Sequence, residues 1–134
     1  MLTKRDHQYF AVATALAKTS NHFKAKLGAI IVHKNEIIST AVNAAKSHPI
    51  QKLYNIHRNI QITHNHIHAE IHSIIKTTNK QKLKGATIYV SRVKNDQAMG
   101  MARPCPACFR AIQDYGIKNI FYTTNNGYAQ ETII

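Results

Sequence analysis

Cys105 and Cys108 are the only two cysteines of this 134-residue chain, and they stand three apart. Chance would place two residues at that spacing in about 1.5% of arrangements, so coincidence explains them poorly. The surrounding Pro104-Cys105-Pro106-Ala107-Cys108 reads as a helix start, where proline is tolerated because no intrahelical N–H bond is lost. A spacing of three puts both sulfurs on one helix face. The free N–H groups and the positive dipole end there favour thiolate, the form that binds a metal. Zinc takes four ligands, or three and a water where it is catalytic. His68-Ala69-Glu70 offers an imidazole, then a carboxylate two residues on, also at the opening of a predicted helix. Two facing helix starts would present His68, Cys105 and Cys108 to one metal and leave Glu70 free to act as a base.

Other readings of the same residues are weaker. A thioredoxin-like C-x-x-C would follow the first strand of a βαβ unit, whereas this one lies late in the chain. A closed structural zinc site needs a fourth protein ligand. Six of the nine histidines fall between residues 48 and 72, so His64, His66 or His72 are candidates, and the same cluster leaves a second metal open. A closed site would leave Glu70 without work, as would a zinc-stabilised binding module without activity.

The elements that must position these residues follow from periodicity. Residues 6–18 carry apolar positions at helical spacing and end near Ser20-Asn21. Two apolar runs, 27–32 and 37–42, flank a polar interruption and read as a hairpin of two strands. Residues 43–66 show no sustained period and read as a long functional loop with about one helical turn. Ile67, Ile71, Ile74 and Ile75 share a stripe that makes 67–79 a second helix, followed by a polar turn over 80–84. Residues 86–91 are β-branched and aromatic, a strand. An irregular stretch, 94–103, precedes the cysteine helix, which Gly116 ends. Residues 117–124 make the last clear strand, Asn126-Gly127 a turn, and the tail is unassigned. This order predicts a single α/β domain over residues 1–134, three αβα layers with a mixed central sheet flanked by helices.

Composition bounds the function. Eighteen Lys and Arg against six Asp and Glu give a net charge of +12, which speaks to anionic partners and not to fold. The cations are 13 Lys and only 5 Arg, and base-edge readers lean on the arginine fork. No apolar run reaches the roughly 18–20 residues of a membrane span, and the N-terminus lacks the pattern of a secretory signal. The expected setting is a reducing cytoplasm.

H-A-E followed by P-C-P-A-C, 37 residues from His68 to Cys105, resembles the zinc-dependent cytidine and deoxycytidylate deaminase superfamily, whose signature is H-x-E then P-C-x-x-C. The resemblance covers most of the chain. Residues 26–32, K-L-G-A-I-I-V, are similar to the first strand of deoxycytidylate-type members. Residues 85–90 resemble the strand before the cysteines, and Tyr115-Gly116-Ile117 the turn after them. It implies the αβα cytidine-deaminase-like fold, Zn²⁺ as cofactor on His68, Cys105 and Cys108, and hydrolytic deamination with Glu70 carrying the protons. The zinc lowers the pKa of a water, hydroxide attacks carbon 4 of cytosine, and Glu70 protonates ring nitrogen 3 and then the departing amine.

By the same resemblance Asn43 contacts base or sugar, the Ala69 N–H the base carbonyl, and the Pro104 C=O the leaving amine. For a substrate phosphate the candidates are Lys26 by family position, Arg58 in the long loop and Arg103 beside the metal helix. Arg103 is preferred, against the alternative that it screens a helix start or pairs with Asp96. The chain departs from the family at Val42, usually Gly, at Arg103, and over residues 94–103. The 24 residues between Asn43 and His68 look like free-nucleotide deoxycytidylate deaminases more than tRNA adenosine deaminases. The expected activity is deoxycytidylate to deoxyuridylate with ammonia release. The alternative is a polynucleotide deaminase acting on cytosine or adenosine in single-stranded DNA or RNA. Expected partners are a small nucleotide, with single-stranded nucleic acid and a second copy of the chain as further candidates, and no membrane.

Overall fold

The strand β1 (Lys26–His33) is apolar along its length because both its faces are covered: Ala29 and Ile31 pack on one side, Ile30 and Val32 on the other. A computed structural model shows this arrangement, describing residues 2–22, 25–57 and 66–133. β2 (Glu36–Val42) returns antiparallel to β1. Lys34 and Asn35 make the turn between them at φ of 50° and 64°, and a turn with two positive φ values matches the twist of the flanking strands. On its other edge β1 pairs antiparallel with β3 (Thr87–Val93), which runs parallel to β5 (Asn119–Thr123). β6 (Tyr128–Thr132) closes the far edge antiparallel to β5, giving the order β2-β1-β3-β5-β6. The two-residue β4 (Met99–Gly100) pairs with the end of β3.

Helices cover both faces of this mixed sheet, the three-layer αβα arrangement expected from the sequence. α1 (Lys4–Thr19) begins in a capping box of Thr3 and Asp6 and lays Phe10 and Ala13 on Ile30, Val32 and Tyr89. It approaches β1 at Gly28, where a Cβ would lie 2.4 Å from the Ala13 carbonyl oxygen. The other face carries α2 (Pro49–His57), α3 (Ala69–Lys76) and α4 (Pro106–Asp114). There Ile67, Ile71, Ile74 and Ile112 bury Ala29, Ile31, Ile88 and Val90.

Several expectations need correction. Residues 43–66 are not a loop with one helical turn: α2 occupies nine of them. The helix expected over 67–79 stops at Lys76, because Thr77 turns its hydroxyl back to the Ser73 carbonyl and Asn79 caps a short 3₁₀ helix, Lys80–Leu83, in place of the turn. Such local side-chain bonds compete with helix continuation. The unassigned tail forms β6, and the irregular stretch 94–103 contains β4. Gly116 ends α4 as expected, at φ 84°, with Ile117 N–H donating to the Ile112 carbonyl and Gly116 N–H to that of Gln113. These are the paired bonds of a Schellman cap. Among the described residues no helix is long and apolar enough to cross a membrane.

Candidate active site

The two helix starts singled out in the sequence face each other. Cys105 is the N-cap of α4, with Pro106 at the first helical position and the Cys108 N–H 3.5 Å from Cys105 Sγ. His68 is the N-cap of α3. Its Nδ1 lies 3.2 Å from Cys108 Sγ and 3.6 Å from Cys105 Sγ, and the three donor atoms all fall within 4.8 Å of one another. Tetrahedral zinc with bonds of about 2.1–2.3 Å spaces its ligand atoms at about 3.5–3.8 Å, so the cluster fits the ion. Without the ion, one of the three donors is already in its metal-binding form, and the other two would release their protons on binding. The Cys108 thiol, opposed by burial and helped by His68, holds Cys105 down at about 4, in the thiolate form. Burial pushes Cys108 well above its usual value. For His68 burial works against the charged ring, but the Cys105 hydrogen bond and the charge of Glu70 outweigh it and raise its pKa.

Glu70 sits one helical position past Ala69 and is 3% exposed. Its Oε1 is buried without a hydrogen-bond partner, and burial pushes the carboxyl up to about 6 against the pull of His68. A buried carboxyl oxygen without a partner is costly unless function needs it. Glu70, His68 and Cys105 line one cavity of about 290 Å³ together with Asn43 and Ala69.

The remaining expected residues divide. Asn43 reaches the cavity, but its side chain is also a brace: Oδ1 accepts from the Ser20 hydroxyl at 2.7 Å and from Leu27 N–H at 3.0 Å, and Nδ2 donates to the Ala25 carbonyl at 2.8 Å. One Nδ2 hydrogen remains beyond these bonds. Ala69 lines the cavity with a first-turn amide, a position that lacks an intrahelical partner. Pro104 is buried and borders a neighbouring groove with Phe109 and Arg110. Lys26 is not among the residues of the cavity wall. Arg103, the preferred phosphate candidate, reaches the rim, and the carboxylate it pairs with is not Asp96, the alternative partner. Its guanidinium holds Glu131 of β6 with two bonds, 2.6 and 3.0 Å, and lies 5.2 Å over the Phe109 ring. Asp96 instead accepts from Ala98 N–H. Arg58 and His64 lie outside the described residues. Neither of the other proposed fourth ligands joins the cluster: His72 Nδ1 faces the Val42 carbonyl at 2.9 Å, and His66 Nδ1 lies 3.4 Å from His22 Nε2.

Three residues near the site escaped the sequence reading. Gln51 of α2, fully buried, accepts from the His68 N–H at 3.0 Å and donates to Asn55 at 2.9 Å. The i, i+4 spacing of Gln51 and Asn55 was its only trace. Glu131 accepts from Tyr122 at 2.8 Å as well as from Arg103. Arg92 of β3 lines the cavity, where strand alternation puts it on the face of Ile88 and Val90.

A three-layer α/β fold that gathers an imidazole, two thiols and a buried carboxyl at two facing helix starts defines a zinc-binding deaminase-type site. The cytidine and deoxycytidylate deaminase zinc-binding region family matches residues 3–124, and the chain belongs to that family. Among solved structures it is similar to the dCMP deaminase from the cyanophage S-TIM5 in complex with dCMP and dUMP. The two share 20% identity and a TM-score of 0.63, covering 91% of this chain and 82% of that one. The apo form of the same enzyme gives 20% and 0.62. Acinetobacter baumannii RibD matches at 22% identity and a TM-score of 0.54, and this chain spans 28% of its length. At these identities the likeness is one of fold. No curated protein sequence matches the chain significantly.

Proposed function

We propose that this protein hydrolyses the exocyclic amine of a free cytosine nucleotide, converting deoxycytidylate to deoxyuridylate and ammonia. The observation that carries this reading is Glu70: a buried carboxyl with an unpartnered oxygen, two residues from His68 and in the same cavity as the metal cluster. His68, Cys105 and Cys108 would hold the zinc, which would supply a water that is nucleophilic at neutral pH. Glu70 would accept one proton of the attacking water and deliver it to ring nitrogen 3, then take the remaining proton of the new carbon-4 hydroxyl and give it to the amine as the C–N bond breaks. One buried carboxyl can serve each transfer in turn. The orphan Ala69 N–H suits the base carbonyl, the spare Nδ2 hydrogen of Asn43 suits base or sugar, and the Pro104 carbonyl suits the leaving amine. A cavity of about 290 Å³ suits a small molecule, and the phage enzyme of similar fold binds dCMP and dUMP. Two unpaired cysteines are in keeping with a reducing compartment such as the cytoplasm.

The test is Glu70→Gln in the zinc-loaded enzyme. Zinc content and fold should persist while turnover of deoxycytidylate falls by at least about 10²–10⁴, the worth of general acid–base work. Turnover near the wild-type rate, or a zinc-loaded wild type inert on every cytosine mononucleotide, would overturn the reading.

One observation favours a second reading, deamination of cytosine or adenine within single-stranded nucleic acid. Eighteen cations face six carboxylates, and the described residues hold only two ion pairs, Arg103–Glu131 and Arg110–Asp114. A polymer substrate would make log affinity fall steeply with log salt, whereas a single phosphate gives a shallow slope.

A further inference from the structure

Arg92 occupies a position that the fold would otherwise give to an apolar side chain. On β3, Ile88 and Val90 point into the core beneath α3 and α4, and alternation sends Arg92 to the same face. Tyr89 and Ser91 point the other way: Tyr89 packs on Phe10 and Ser91 bonds Thr14, both of α1. Arg92 therefore lines, from the C-terminal end of β3, the same cavity as Glu70, His68 and Cys105.

Its stem is fixed. Arg92 N–H donates to Thr123 Oγ1 at 3.0 Å, and that hydroxyl donates to the Gly100 carbonyl at 2.7 Å, locking β3, β4 and β5 together at this point. The stem then crosses Gly100, where a Cβ would lie 3.0 Å from both Cγ and Cδ of Arg92. Glycine is needed there for the arginine to lie flat.

Among the described residues the charge has no ion-pair partner. Arg92 Nε is buried and no described residue accepts from it. The chain has six carboxylates. Asp6 is engaged by Thr3 and Tyr89, Asp96 by Ala98, Asp114 by Tyr54 and Arg110, and Glu131 by Arg103 and Tyr122. Glu36 lies on β2, and Glu70 is committed to proton transfer and makes no ion pair with Arg92. A half-buried arginine that lines the cavity with its Nε buried and no anion is an unfavourable arrangement until a ligand supplies one. Arg103, the cation preferred from the sequence, already has its anion.

We infer that Arg92 binds the 5′-phosphate of the substrate and so selects a nucleoside monophosphate over the nucleoside. The inference rests on the proposed deamination of a cytosine nucleotide. A planar fork with one edge buried can offer its remaining N–H groups to a phosphate in a fixed direction.

The experiment compares zinc-loaded wild type, Arg92→Gln and Arg92→Lys in two ways. In kinetics, the kcat/KM ratio of deoxycytidylate to deoxycytidine should fall about 30-fold in Arg92→Gln, within the range of charge-assisted hydrogen bonds, chiefly through KM. Arg92→Lys should restore part of it, because the charge returns without the fork. In calorimetric titration, deoxyuridine 5′-monophosphate should lose a similar factor in affinity relative to deoxyuridine. If no cytosine nucleotide is turned over but the monophosphate still binds and loses its advantage in Arg92→Gln, the deamination reading falls and this one stands. If deamination proceeds with an unmoved ratio, this inference alone falls. A wild type with no preference for the monophosphate, or a loss confined to single-stranded oligodeoxynucleotides, also overturns it.

Discussion

Gln51 gives a sharp test of how the metal ligand is held. Its side chain is fully buried, its carbonyl accepts the His68 N–H at 3.0 Å and its amide donates to Asn55 Oδ1 at 2.9 Å. His68 has no side-chain cap bond of its own, so Gln51 fixes the backbone from which the imidazole is aimed. Truncation to alanine should leave the His68 N–H without its acceptor, at about 1–3 kcal/mol, and open a small cavity worth about 1 kcal/mol more. A total of about 2–4 kcal/mol is expected in urea unfolding of the zinc-loaded protein. Zinc affinity should fall about 10- to 100-fold, the usual effect of removing a group that orients a ligand, as read by competition with a chromogenic chelator. Gln51→Leu separates the two contributions, since it fills the space but cannot accept the bond. It should recover the cavity part of the stability and none of the affinity. Unfolding within about 0.5 kcal/mol of wild type together with unchanged zinc affinity in both variants would refute the reasoning.

Gly28→Ala should cost about 1–3 kcal/mol in stability, because its Cβ would meet the Ala13 carbonyl oxygen at 2.4 Å and the Ala17 nitrogen at 2.7 Å. Chemical denaturation checks this, and a neutral result would mean that α1 stands off β1 more than described. The Arg103 hydrogen bonds and that of Tyr122 hold the Glu131 carboxyl below its ordinary range. A lowered folded-state pKa gives stability that is present above the unfolded value and lost as pH falls through the folded one. Acid titration of Tm should therefore show a wild-type advantage over Glu131→Gln at neutral pH that disappears below about pH 4. Its size should stay under about 1 kcal/mol for so exposed a pair, and an advantage that grows on acidification would contradict the assignment.

The parts of the molecule that were legible beforehand are those in which one physical rule dominates. The apolar runs of β1 and β2 and the isoleucine stripe of α3 announce burial directly. The metal ligands are legible because thiol, imidazole and carboxyl types at fixed spacing have few other uses. α2 was hidden because its pattern is inverted: it buries Gln51 and Asn55 and leaves Leu53 and Ile56 exposed at 53% and 61%, so hydrophobic periodicity points the wrong way. β6 was hidden because it is an edge strand whose side chains alternate only between exposed and half-buried. Arg103 illustrates a different limit. Its neighbour in sequence suggested Asp96, but the ion pair is made 28 residues away, beyond α4 and β5, where local reasoning does not reach.

The stretch between β3 and α4 connects these observations. A direct passage from β3 to Cys105 would leave the end of β3 paired with β1 alone, because β5 reaches only to Val90. Instead the chain turns back through Gln97 at φ 69° and pairs Gly100 with Arg92 as β4. It then runs to Ala102, whose N–H donates to the Thr123 carbonyl at 2.9 Å. That return has three local effects: it satisfies the backbone at the end of β3, presses the Arg92 stem flat, and delivers Arg103 to Glu131 on the far strand. Two arginines eleven positions apart thus have opposite fates, one neutralised at the rim and one held inside without an anion. The residues 94–103 therefore bear on what the cavity admits, while the two helix starts bear on what is done there. Gly100→Ala separates these roles. By lifting the Arg92 stem it should weaken deoxycytidylate relative to deoxycytidine, as Arg92→Gln does, while zinc content stays at the wild-type level. Parallel loss of zinc would instead tie this stretch to the metal cluster itself.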